Sequence, residues 1–506
     1  MAAWSGEVSG RLTNQTACPR GEFQLGENIT DMRKLMSPTL WVTVEKVSQQ
    51  ALWLVLFAIL APILGPRAYG LFAIVMVFIG FCEFVTVEAA CEALMGKDPL
   101  EPLHLKTATT CNLVIAILAG MTVFLLAPLF GRLFGDPDLA LLFEVLSVLP
   151  ALSALTSAPT AVLKRRMDFR PLALRATLSL VIGGVVAVGL ALAGVGVWAL
   201  VAQILIQRTA EVVILWVATG GTGLGWSRSH YRDLRSYAAH VFVSRSMLFL
   251  SAQLPRVIIA YFLGPVNLGL FTLASRFPET LAQIIITPKA IVARVDLRQY
   301  RHGEEALGNA YYRLLRDIAL IGFPMSLGAA ATIPLLISVW LDERWQAGIL
   351  ASQLMFLTVP PQVFFYGASA VLMALNFPRE EARLSTVQSL SNSLFVLMAV
   401  PFGLNAVCLA MVLRLFLLMP YQAILVSRVC GIPKRAIADA TGSLFGLSLA
   451  MAGTVAAISP LLVRTVGYSL ALAGLIVIGC VLYGALLGIF APSEARRFIS
   501  RLPFAS

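Results

Sequence analysis

LGPRAYGLF (Leu64–Phe72) is written a second time as LGPVNLGLF (Leu263–Phe271), with six of nine residues unchanged. Every residue of the second copy stands 199 positions after its counterpart, position 263 against position 64. Each copy interrupts a long apolar run with Gly-Pro. That pair ends one helix and permits another to start, because proline lacks the amide donor and glycine accepts backbone angles closed to other residues. The stretch therefore reads as the closed end of a helical hairpin, used twice.

The runs on either side of these turns set the fold class. Of 506 residues, 58% are hydrophobic and 13% charged, and the mean hydropathy is +0.83. A soluble domain is about half apolar and about a quarter charged. Apolar segments of about 20 residues recur from Pro38 to Pro492, enough for a membrane crossing each time. The chain is all-α and polytopic, and we expect about fourteen transmembrane helices. Gly/Pro/Asn turns (GPRAYG, FGDPD, AGVG, GPVN, FGLN) separate them, as short turns between antiparallel neighbours do.

The net charge of +11 is mostly arginine. In this context it reads as basic loops obeying the positive-inside rule, not as a nucleic-acid surface. Sorted by alternate loops and tails, twenty-four Lys and Arg fall on one side, and only Arg67, Arg132, Arg344 and Arg464 on the other. Both termini are then cytoplasmic. The polar leader to Met36 has no apolar core and is not expected to be a signal peptide. Its sequons, at Asn14 and Asn28, matter only if the tail is external. Seven cysteines without a CxxC spacing, and four scattered histidines (His104, His230, His240, His302), give no expectation of a metal, cofactor or disulfide framework. Walker A, HExxH and nucleophile-elbow motifs are absent, so no enzymatic activity is expected.

The two turns close hairpins six helices apart. An even separation preserves orientation, so the repeat is a parallel one, with two six-helix lobes related about the membrane normal. GVGVWALVA (from Gly194) and GLNAVCLAM (from Gly403) echo it more weakly. The expected organisation is a cytoplasmic tail (1–37), an N-lobe (38–230), a C-lobe (231–430), and two further helices with a cytoplasmic tail (431–506).

The stretches LGPRAYGLFAIVMVF, HLKTATTCNL, VLKRRMDFRPLALRATLSLVIGG, GVGVWALVAQ and FLGPVNLGLFTLASR resemble the polysaccharide and O-antigen (Wzx-type) flippases of the multidrug/oligosaccharidyl-lipid/polysaccharide exporter superfamily. The similarity covers about residues 40–290, and hydropathy carries it further. It implies a bacterial inner-membrane protein that moves an undecaprenyl-pyrophosphate-linked oligosaccharide outward by alternating access. Its partners would be that lipid-linked glycan, anionic lipids and the polymerase or export machinery of one polysaccharide pathway. The family's usual Asp-Leu-Gly-Phe-Gly-like end of helix 2 is replaced here by TVEAACE, and an Asp common late in helix 7 by Pro255.

Ionisable groups at membrane depth are expensive, at least about 2.5 kcal/mol each on an insertion scale, so each calls for a reason. Lys46 and Arg245 are 199 residues apart, like the turns themselves. They form a candidate two-sided clamp for the pyrophosphate, or they snorkel to the interface. Arg256, Arg276, Gln283 and Lys289 extend a candidate basic path, since arginine binds phosphate through paired hydrogen bonds. The competing reading is an Arg276–Glu279 structural pair. Glu83, Glu88, Glu92 and Glu279 are candidates for ion coupling, with partnership to nearby bases as the alternative. Arg208 and Glu211 read as an i, i+3 pair. Competing functions are a drug or cation antiporter of the related multidrug branch, a glycan polymerase or ligase, and a structural subunit. The polymerases and ligases carry a large basic periplasmic loop that this sequence lacks.

Overall fold

In the computed structural model the described residues are 28–96, 100–299, 304–430 and 434–492. Among them the regular structure is helical throughout, as a bilayer requires of any segment that satisfies its own backbone. The first half of the chain forms α1 (Asn28–Met95), α2 (Pro102–Leu133), α3 (Asp138–Leu146), α4 (Leu149–Arg165), α5 (Arg170–Leu192) and α6 (Trp198–Thr219). The second forms α7 (Arg228–Leu281), a π-helical turn (Ala282–Ile286), α8 (Thr287–Gln299), α9 (Glu304–Trp340), α10 (Ile349–Phe356), α11 (Val359–Ala374), α12 (Pro378–Ala399) and α13 (Leu404–Cys430). The chain then continues through α14 (Lys434–Val466) and α15 (Tyr468–Phe490). Twelve helices among the described residues are long and apolar enough to cross a membrane.

Two of the twelve are folded back on themselves. In α1, Gly65 has φ 75° and ψ 171°; in α7, Gly264 has φ 80° and ψ 176°. A straight helix would separate Phe57 from Tyr69 by about 18 Å, yet their ring centroids are 4.9 Å apart. Arg256 Nη2 likewise lies 3.1 Å from Glu279 Oε1 across the second glycine. Both repeats are therefore hairpins. They cross reciprocally: a Cβ on Gly70 would sit 1.7 Å from the Pro265 carbonyl oxygen, and one on Gly269 would sit 1.9 Å from that of Pro66. Only glycine permits such an approach of one backbone to another. The repeated G-P-x-x-x-G thus supplies both partners of the crossing.

The end of α9 and the loop after it cover the first turn. Pro62 and Pro66 have no N–H, so the carbonyls of Ala58 and Pro62 lose their usual i+4 donors. The non-helical Gly65 frees that of Ala61. Trp340 Nε1 donates to Ala58 at 3.2 Å, Trp345 Nε1 to Ala61 at 3.0 Å, and Arg344 Nη2 to Pro62 at 3.0 Å. Trp345 is wholly buried and packs edge-on against Phe57 and Tyr69. One apolar core runs through this end of the bundle and draws on α1, α3, α6, α7, α10 and the loop that carries Trp345. A second lies within the later helices, around Tyr311, Leu315, Val363 and Leu444. Large apolar side chains such as Leu125 and Val481 face outward, as they do against lipid.

The hydropathy pattern predicts single helices over about 139–162 and 346–375, the fourth and tenth of the fourteen, and each is broken. α3 gives way to α4 at Ser147–Val148, and α10 to α11 at Leu357–Thr358, with Pro150 and Pro360 following in the first turn. The start of α1 also differs from the expected boundary at 38. It begins at Asn28, because a polar helix can project beyond the apolar stretch that hydropathy detects. The sequon at Asn14 and the tail beyond 492 lie outside the described residues.

Candidate functional site

α1 and α7 make the most extensive contact between the halves. At mid-length this contact carries the charged groups. Arg256 donates to Gln253 Oε1 at 2.9 Å and to Glu279 at 3.1 Å. Arg276, one turn before Glu279, lays its guanidinium 4.9 Å from the Trp53 ring centroid of α1, a cation–π contact. Gln50 of α1 donates to Thr280 of α7. Glu279 leaves 44% of its side chain exposed and Arg256 27%. Two arginines and a partly open carboxylate at this depth, on the helices that join the halves, fit a polar space better than lipid.

The remaining sequence-derived candidates fall as follows. In the competing Arg276–Glu279 reading the two stay electrostatically coupled, while Glu279 bonds to Arg256 and Arg276 stacks on Trp53, because the fold of α7 brings Arg256 against Glu279. Lys46 is exposed. Arg245 and Glu88 have helical backbones, and their side chains lie outside the described residues. Gln283 is exposed within the π-helical turn, and Glu92 is half-buried. Lys289 is half-buried and donates to the Asp317 carbonyl at 2.6 Å.

Glu83 belongs to a different constellation, inside the first half. Arg208 of α6 bonds to Glu83 at 3.1 Å and to Glu211 at 2.9 Å. Ser153 also donates to Glu83, and Gln207 donates to Glu211 at 3.1 Å. Both carboxylates are buried. Nearby on α5, Arg175 approaches Glu45 at 3.7 Å. Sequence spacing reveals the Arg208–Glu211 pair but not Glu83, 125 residues away. An apolar cavity of about 450 Å³ lined by Phe323, Phe364, Phe416, Met419 and Phe445 lies in the second half. It offers no charge to a polar headgroup.

Histidines that look scattered in sequence also meet. The rings of His104 and His230 are 4.2 Å apart. No local pattern signals this, because the contact depends on how the α6–α7 link folds back.

A family model described as polysaccharide biosynthesis protein matches residues 59–350. The succinoglycan biosynthesis transport protein ExoT of Rhizobium meliloti is 26% identical over 306 residues, 60% of this chain and 62% of ExoT. That stretch is less than two thirds of the relative's length. Among solved structures, lipid II flippase MurJ in an inward closed conformation aligns with a TM-score of 0.71 over 91% of this chain and 99% of MurJ, at 14% identity. A multidrug-resistance transporter of the MATE family, inward-facing, aligns with a TM-score of 0.55 over 76% of this chain and 98% of its own, at 17% identity. At such identities the likeness is one of fold.

Proposed function

The chain belongs to the polysaccharide biosynthesis protein family, and on that premise we propose that it is a flippase for undecaprenyl-pyrophosphate-linked oligosaccharides. It acts by alternating access in a bacterial inner membrane, with both termini cytoplasmic. The observation that carries this reading is the grouping of Arg256, Arg276 and Glu279 where the two hairpins meet. On this reading the arms of α1 and α7 count separately, giving fourteen spans in two six-helix lobes plus two C-terminal helices. The apolar tail of the substrate stays in lipid while the pyrophosphate and sugars cross between the lobes. Arg256 and Arg276 offer the forked donors that a pyrophosphate needs. Glu279 holds Arg256 extended in the absence of anion, and substrate oxygens compete for the same guanidinium.

Lys46 and Arg245 form the entry clamp at the cytoplasmic mouth. Arg67 and Arg344 then belong to the periplasmic side, so the covered turn is the closed periplasmic gate. The membrane potential, negative inside, favours outward movement of the anion by about 2.3 kcal/mol per charge per 100 mV. Glu83, Glu88, Glu92 and Glu279 are the candidates for ion coupling. Partners are the lipid-linked glycan, anionic lipid, and the polymerase or export proteins of its pathway. No catalytic step is assigned.

The test is flipping of a fluorescent undecaprenyl-pyrophosphate oligosaccharide in proteoliposomes, with and without an imposed potential. Arg256→Ala/Arg276→Ala is expected to reduce the rate at least about 100-fold, since each charge-assisted contact is worth about 1.5–3 kcal/mol. Lys46→Ala/Arg245→Ala slows entry and raises the substrate concentration needed. Wild-type rates in the Arg256/Arg276 variant would refute the assigned path. Export of cationic drugs by folded wild type, without glycan flipping, would favour the antiporter reading.

A further inference from the structure

The link from α6 to α7 is the covalent connection between the halves, and it runs along the first turns of α2. Gly220 ends α6 in the left-handed region at φ 74°. Thr222 then meets Thr109 at 3.2 Å, and the Gly225 amide donates to Thr110 at 3.0 Å. This path delivers the first turn of α7 to the N-terminus of α2. There Glu101 and His104 already form a capping box, with the Glu101 amide donating to His104 Nδ1 at 3.2 Å.

His230 Nε2 lies 3.0 Å from Glu101 Oε2, and His104 Nε2 lies 3.7 Å from Asp233 Oδ2. One ligand atom each of Glu101, His104 and His230 fall within 4.8 Å of one another. A tetrahedral ion with bonds near 2.0–2.1 Å separates its ligand atoms by about 3.3 Å; the His230–Glu101 pair lies slightly inside that spacing, and Asp233, outside the group of three, reaches His104 at slightly more. We propose that Glu101, His104 and His230, with Asp233 beside His104 moving in as the fourth ligand, form a site for a borderline divalent transition-metal ion of the zinc type, which ties α7 to α2.

The donor set favours that class of ion. Two imidazoles and two carboxylates suit zinc-like metals, whereas calcium and magnesium take oxygen shells. His104 is buried, His230 is 17% exposed, and Asp233 and Glu101 are 47% and 58% exposed. The inner ligand is therefore fixed and the outer ones are reachable from water. Ser227 Oγ lies 2.7 Å from His230 Nδ1. Accepting the Nδ1 proton there, it would orient the ring and leave Nε2 for metal, a common outer-shell arrangement. At His104, ligation through Nε2 moves the ring proton to Nδ1 and gives up the 3.2 Å bond from the Glu101 amide. The loss is one long hydrogen bond against a metal bond. The site does not depend on what is transported.

The full-length protein, purified with a tag free of histidine and cysteine, would be titrated with Zn²⁺ against a chromophoric chelator and with Co²⁺ by absorbance. One equivalent per chain and tetrahedral Co²⁺ bands are expected, with Zn²⁺ raising the unfolding temperature. His230→Gln should weaken binding at least about 100-fold and Asp233→Asn about 10-fold, and the gain in stability from zinc should be lost in the first and reduced in the second. Both variants must elute and unfold like metal-free wild type. If His230→Gln fails to fold, Asp233→Asn and His104→Gln carry the test. Wild type without stoichiometric zinc would overturn the site and leave a hydrogen-bonded clasp of histidines and carboxylates. Undiminished binding in His230→Gln would overturn it in favour of cysteine thiols.

Discussion

The two copies of LGPxxxGLF have the same backbone and different company. At the first, Arg344 presses on Gly65, so that an added Cβ would sit 2.7 Å from its guanidinium nitrogen. Arg67 pairs with Asp136 at 2.8 Å. At the second, a Cβ on Gly264 would meet nothing within 4 Å, and Val266 stands in place of Arg67, exposed. The motif encodes the turn and the glycine crossing. What covers the turn is encoded elsewhere, in the end of α9 and the loop after it. Local sequence thus fixes local geometry, and the asymmetry of the molecule comes from a segment outside the repeated turn.

The comparison breaks most severely at Trp345. Trp345→Ala removes a wholly buried ring between Phe57 and Tyr69, for an expected loss of about 3–5 kcal/mol. Unfolding in detergent reads it, and near-wild-type stability would mean the covered turn is no core element. The glycines themselves sharpen the contrast. Gly65→Ala and Gly264→Ala both force a side chain into a positive-φ, extended-ψ conformation that is essentially glycine-only, about 1–3 kcal/mol each. Gly65→Ala also collides with Arg344, so it should be worse by about 1 kcal/mol, and that excess should vanish in an Arg344→Ala background. Equal penalties would deny the contact. Smallest is Arg67→Ala. Its pair with Asp136 leaves Arg67 60% exposed, so about 0.5 kcal/mol is expected, and more than about 1.5 kcal/mol would show that the pair anchors the turn.

Much of the fold was legible because it rests on short-range rules. Apolar run length reports membrane crossing, and Gly-Pro reports the hairpin. The crossing of Gly70 and Gly269 over Pro265 and Pro66 was latent in the repeat, since glycine at both copies is what backbone contact requires. The breaks before Pro150 and Pro360 were missed because hydropathy does not change across them. Of the charged candidates, Arg256 and Glu279 meet because α7 folds back at Gly264. The partnership of Arg208 with Glu83 needed tertiary structure, as did the histidine pair of α2 and α7. One overlooked signal was available. Prolines at 62 and 66 announce carbonyls at 58 and 62 that a neighbour must satisfy.

Those carbonyls have a further consequence. Their donors come from side chains of the opposite half, so the backbone of α1 is complete only while the two halves touch. If that end parts, Ala58, Ala61 and Pro62 each present a bare oxygen, which in a dry gap would cost several kcal/mol apiece. Separation without solvent is therefore the steepest route, and separation with water filling the gap as it forms is the accessible one. Wetting becomes a condition of opening at this end, set by two prolines and a glycine that carry no charge at all.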